Sequence, residues 1–81
     1  MEMQDFGWAL RELREGKKVA RDGWNGKGMW IELSEYGDMA MYKNHPLSPH
    51  ILMKTADHKF VPWLASQTDV LATDWTNVQA D

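Results

Sequence analysis

The sequence predicts an α+β fold: a small antiparallel sheet with an N-terminal helix and a short second helix, in a single domain over residues 1–81. Three observations predict it. Phe6, Leu10 and Leu13 recur at helical spacing behind Asp5, a residue suited to capping a helix. Met29, Ile31 and Leu33 alternate with Trp30 and Glu32 at the period of a strand. Two short apolar runs, 51–55 and 60–63, flank Ala56-Asp57-His58-Lys59, the pattern of an antiparallel hairpin.

Each element has its own local reason. The first helix is expected from Phe6 to Glu15, with Gly16 as its C-terminal stop and Ala9 beside the apolar stripe. Trp8 falls on a neighbouring face, and Arg11, Glu12, Arg14 and Glu15 are assigned to solvent. Residues 17–21 read as a short strand with Val19 inward, and 29–33 as a second strand. Glu35-Tyr36-Gly37-Asp38 reads as a turn, 39–42 as a third strand, and 44–49, with two prolines, as a loop. Pro62 cannot donate to a ladder, so it is expected at a strand end or on a sheet edge. Ser66-Gln67-Thr68-Asp69 resembles a capping box with Asp in place of Glu, opening a short helix that ends at Ala72 or Thr73. A last strand is expected over 75–78.

Composition narrows the function. Five Trp, six Met, two Phe and two Tyr are a heavy apolar load for 81 residues, and part of it is expected at an interface between subunits. The absence of cysteine excludes disulfides and thiolate metal sites. No signal-like segment or membrane span is seen, so the chain reads as cytosolic. A net charge of −3 argues against sequence-independent binding to long nucleic acids but leaves room for a small anion in a local basic pocket. His45, His50 and His58 lack metal-ligand spacing, and Ser34, Ser48 and Ser66 lack a nucleophile context. Asp22, Asp69 and Asp74 are possible carboxylate partners whose separations the sequence does not give. No catalytic set emerges, so no enzyme, cofactor or metal is expected.

Two stretches carry the candidate binding residues. In Arg21-Asp22-Gly23-Trp24-Asn25-Gly26-Lys27-Gly28, glycines surround one aromatic ring and one amide, with a cation at each end. A ring held on such a backbone offers a stacking surface, the amide can read a polar ring edge, and Arg or Lys can meet phosphate. The alternative is a tight turn whose Trp24 plugs the core. In Trp63-Leu64-Ala65-Ser66-Gln67-Thr68-Asp69 and Ala72-Thr73-Asp74-Trp75, a helix start with free N–H groups suits an anion. The alternative there is plain capping, with Trp63 and Trp75 in the core.

Taken together these strings, with Phe6, Gly16 to Ala20, Met29 and the segments 49–56 and 61–75, resemble the second type of Thoeris anti-defence protein, a family of small phage and prophage proteins. The match runs over nearly the whole chain in the same order. The resemblance implies a sponge that binds and sequesters a cyclic nucleotide immune signal without cleaving it. The implied signal is glycocyclic ADP-ribose, with cyclic dinucleotides as a further class. The resemblance also implies a homotetramer built as a dimer of dimers, with shared pockets, working in the cytoplasm of the infected or lysogenic host. On the matching positions, Trp24 would stack on a base, and Asn25, beside Gly26, would bond a base edge or ribose. Arg21 and Lys54 would meet the diphosphate, and Gln67 and Thr68 would reach ribose or phosphate oxygens. Asp69 and Asp74 would accept from ribose hydroxyls or serve as capping and pairing groups. Two other classes compete: a small protein-interaction module acting through its aromatic surface, and a hydrolase of the same signal.

Overall fold

The computed structural model describes residues 3–24, 27–35 and 41–78. Helix α1 (Phe6–Arg14) is followed by strands β1 (Lys18–Arg21) and β2 (Trp30–Ser34), linked through a 3₁₀ turn at Asp22–Trp24. Then come the short β3 (Met41–Tyr42) and β4 (His45–Pro46), β5 (His50–Lys54), β6 (Phe60–Pro62), helix α2 (Gln67–Leu71) and β7 (Trp75–Val78). The main sheet has the order β6-β5-β2-β1-β7 with every neighbouring pair antiparallel. The α+β expectation holds.

Local signals account for the helix ends. Asp5 accepts from the Trp8 N–H at 2.9 Å, and Gly16, at φ +83°, takes the left-handed conformation that ends α1. Ser66 caps α2 by accepting from the Asp69 N–H at 3.1 Å. That helix stops at Leu71, slightly short of the expected end, because Ala72 is extended.

Register assigns the two faces of the sheet. Val19 pairs with Ile31, Ile31 with Met53, and Leu33 with Ile51. Side chains alternate along each strand, so these residues share one face. The helix α1 covers it: Ala9, Leu13, Val19, Ile31 and Trp75 are fully buried together, with Phe6, Leu33, Ile51, Met53 and Trp63 packed around them. The opposite face carries Ala20, Trp30, Leu52, Lys54, Phe60, Thr76 and Val78. Trp30 is buried there although alternation with the core places it outward. Phe60 meets its ring edge-on at 5.6 Å and the Lys18 ammonium lies 4.9 Å from its centroid.

Two further details depart from the sequence reading. His45 and Pro46 pair with Tyr42 and Met41, making a two-residue hairpin where a loop was expected. Lys43 and Asn44 both adopt positive φ, the geometry of a tight hairpin turn, and Pro46 is tolerated because, among the described residues, β4 pairs with β3 alone. Glu12, assigned to solvent, keeps only 14% of its side chain exposed and pairs with Lys17 at 3.5 Å. Most of the expected 35–38 turn and the start of the third strand lie outside the described residues. Pro62 ends the edge strand β6, and the β5–β6 connection is the expected hairpin. No described helix is long and apolar enough to cross a membrane.

Candidate functional site

A cleft of about 450 Å³ lies against the sheet face opposite α1. Ala20, Trp30, Thr76 and Val78 line it from the sheet, and Arg21, Asp22, Trp24, Lys27, Lys54 and His58 line it around them. Three elements converge to build it. The turn after β1 supplies Trp24, the segment leading into β2 supplies Lys27, Gly28 and Met29, and the β5–β6 hairpin supplies Lys54 and His58. The pairing of Trp30 with Lys54 places that hairpin beside the glycine-containing segment. Lys54 then donates to the Gly28 carbonyl at 2.7 Å and ties the two together. An ammonium has three donors, so others remain for a ligand. The site thus joins an indole to lysines in a concave space, a combination that fits a planar, phosphorylated molecule.

Next to the cleft sits an ion-paired anchor. The Arg21 Nε donates to Asp74 Oδ1 at 2.8 Å, its Nη2 to Asp74 Oδ2 at 3.4 Å, and its Nη1 to Asp69 Oδ1 at 2.9 Å. The three side chains are only 15–23% exposed. Asp74 also accepts the Gly23 N–H at 2.7 Å, while its backbone carbonyl accepts from the Asp22 N–H at 2.9 Å. The Asp69 carbonyl accepts from the Trp75 indole at 3.1 Å. Hydrogen bonds from Arg21 hold the Asp74 carboxyl below its ordinary value of 3.8, against the opposing effect of burial and with help from the Gly23 N–H. Hydrogen bonding to Asp74, then to Asp69, raises the Arg21 guanidinium further.

This arrangement predicts an acid response. A carboxyl depressed in the folded state contributes stability above its unfolded value and loses it as pH falls through the folded value. Thermal melts should therefore show the Asp74 contribution intact above about pH 4 and fading below it. Asp74→Asn should lower the melting temperature at neutral pH and flatten that acid limb. An acid limb unchanged by the substitution would show that other carboxylates dominate it.

The residues proposed from sequence separate into four groups. Arg21, Trp24 and Lys54 line the cleft together. Asp69 and Asp74 stand behind it as the partners of Arg21. Gln67 and Thr68 open α2, are exposed, and line neither this cleft nor the one described next. Asn25 and Gly26 lie outside the described residues. Asp69 does double duty, its N–H capped by Ser66 and its carboxylate turned to Arg21. Trp24 has a place in both features: its ring lies 5.4 Å from Trp75, edge to face at 80°, and it also lines the cleft. Trp30 and His58 were not proposed, and Lys27 was offered only as a flanking cation able to meet phosphate. Lys27 had a signal, as the second cation of the glycine-rich string. Trp30 and His58 had none, because their place depends on strand pairing.

A second cleft, about 560 Å³, lies between α1 and the β2–β5 end of the sheet and is lined chiefly by Leu10, Leu13, Leu33, Ile51 and Trp63. Arg14 and His50 stand at its border, but it holds none of the proposed binding residues.

Comparison with known proteins places the chain in a group. The Thoeris anti-defense 2-like domain matches residues 4–78. The chain is also similar to "Thoeris anti-defense 2" of Bacillus phage SP01, at 46% identity over 79 residues, covering 86% of this chain and 89% of that relative.

Proposed function

The chain belongs to the Thoeris anti-defense 2-like family, and on that premise we propose that it is a phage anti-defence protein that binds a cyclic nucleotide immune signal and sequesters it without cleavage. The observation that supports this reading is the cleft in which Trp24 stands beside Lys27 and Lys54. Trp24 stacks on a base and the lysines hold the phosphates. Arg21 spends its fork on Asp69 and Asp74, which moves the phosphate role to the lysines. Asn25 and Gly26, next to Trp24 in sequence, contribute amide and backbone contacts. Gln67 and Thr68 reach a ligand shared with a second protomer. Glycocyclic ADP-ribose is the proposed signal, and cyclic dinucleotides are the related class.

Capture and release test the proposal. The protein is incubated with glycocyclic ADP-ribose, freed of unbound ligand by filtration, then denatured by heat. A sponge returns the intact molecule, a hydrolase returns product, and a protein that never bound returns nothing. The last outcome would favour an interaction module, for which the exposed Leu64 (92%) and Leu71 (75%) speak.

Charge gives a sharper expectation. With an acidic chain, the anion is held by few local donors and not by a broad field. Lys54→Ala should weaken capture by roughly 10- to 150-fold, since a hydrogen bond to a charged group contributes ~1.5–3 kcal/mol. Wild-type affinity should fall only modestly with salt. Titration calorimetry at low and high salt checks both. Affinity that collapses with salt while Lys54→Ala binds normally would rule this donor out.

Self-association belongs to the same proposal. The protein is a homotetramer, a dimer of dimers, that covers part of its exposed apolar surface, including Phe60 and Val61 on the edge strand. Light scattering should return a multiple of 9.4 kDa. A monomer mass would remove the shared-pocket arrangement.

A further inference from the structure

We infer that Arg21 is a positioning residue, which, clamped between Asp69 and Asp74, fixes the attitude of Trp24 in the cleft and does not itself touch the ligand. This rests on the ligand reading of that cleft. Two connections run from the clamp to Trp24. The first is through backbone. Asp74 accepts the Gly23 N–H at 2.7 Å and its carbonyl accepts the Asp22 N–H at 2.9 Å, so both residues before Trp24 are tied to one aspartate. Arg21 orients that aspartate through Nε at 2.8 Å. The second is through rings. Arg21 holds the Asp69 carboxylate at 2.9 Å, the Asp69 carbonyl takes the Trp75 indole N–H at 3.1 Å, and the Trp75 ring meets Trp24 at 5.4 Å. Trp24 is thus set from its backbone and from its ring by the same guanidinium. A polar network whose members are mutually satisfied holds one arrangement firmly, and a binding site relies on such support behind the groups that touch the ligand.

Gly23 is part of the device. A Cβ there would lie 3.0 Å from Asp74 Oδ2 and 3.1 Å from Arg21 Nη2, tighter than ordinary contact. The absence of a side chain lets the turn close onto the clamp.

The sign of one substitution separates positioning from contact. Asp74→Asn loosens Arg21 and removes a negative charge near the cleft. Were Arg21 a phosphate donor, glycocyclic ADP-ribose would bind as well or better. As a positioning residue, its loosening should weaken binding about tenfold, the effect of losing one charged hydrogen bond. Gly23→Ala keeps every charge and should weaken binding in the same direction, by less; it serves if Asp74→Asn does not fold. A second readout needs no ligand. In protein labelled with fluorotryptophan, the Trp24 signal, identified by its loss in Trp24→Phe, should shift in both variants while that of Trp8 on α1 stays. Affinity that holds or rises in Asp74→Asn, or a Trp24 signal that stays in place in the folded variants, overturns the inference. If wild-type protein captures no glycocyclic ADP-ribose but the Trp24 signal moves in both variants, the ligand reading falls and the positioning of Trp24 by the clamp stands.

Discussion

Trp24→Ala is expected to weaken capture of glycocyclic ADP-ribose by roughly 5- to 150-fold, because stacking of a base on an aromatic side chain contributes ~1–3 kcal/mol. The ring has two neighbours to lose. One is the ligand of the proposed function; the other is Trp75, which it meets edge to face at 5.4 Å. The second loss costs about 0.5–1.5 kcal/mol beyond buried area, so a moderate fall in melting temperature should accompany the loss of binding. Trp24→Phe retains a stacking face and should bind with intermediate affinity. Calorimetric titration beside a thermal melt separates the two contributions. A Trp24→Ala protein that binds normally refutes the stacking role, whatever its stability.

Trp75→Ala is expected to damage the fold itself. Trp75 has no exposed surface and is the hub of the aromatic cluster, with Phe6 and Trp24 at 5.4 Å and Trp63 at 6.1 Å. Its backbone pairs with Arg21 on one side and bridges Gln4 on the other, so the edge strand and the N-terminal segment meet on this residue. Removing a buried Trp costs roughly 3–5 kcal/mol, against a total of about 5–15 kcal/mol for a small domain. Each kcal/mol shifts the midpoint of a domain this size by about 4–8 °C, so a fall of roughly 12–40 °C is expected by circular dichroism. Trp75→Phe keeps most of the apolar contact but loses the indole bond to Asp69, and should fall between. A variant that melts near the wild type would mean the α1 core closes without this ring.

The contrast between these two tryptophans marks what local sequence can reveal. Trp24 was visible because its surroundings are odd: glycines and cations beside one large ring. Trp75 sits in an ordinary short strand, and nothing beside it announces that three aromatic rings converge there. Trp30 is the clearest case of burial that its own strand does not announce. Period-two alternation puts it opposite Ile31, which is right, but burial on that face comes from Phe60 and Lys18 of other strands.

What the sequence by itself determined is most of the elements, β4 excepted, and the family. Helix α1, the β5–β6 hairpin and the α2 cap follow from signals within a few residues: Asp5 and Gly16, the short turn between Lys54 and Phe60, Ser66. Such signals act through adjacent backbone groups, so spacing alone expresses them. The long strings around Trp24 and Trp63 likewise carry the family, which spans residues 4–78. Only the tertiary structure decided which residues share a site. Arg21 was read as a phosphate donor because its neighbours in sequence suggested a pocket, yet its fork closes on Asp69 and Asp74, 48 and 53 positions away. Lys54 reaches the Gly28 carbonyl across 26 positions. Both contacts exist because the sheet places β1 between β2 and β7, and β2 beside β5. Strand order is chosen by the burial of Val19, Ile31 and Trp75 under α1, a property of the whole chain that no local window contains.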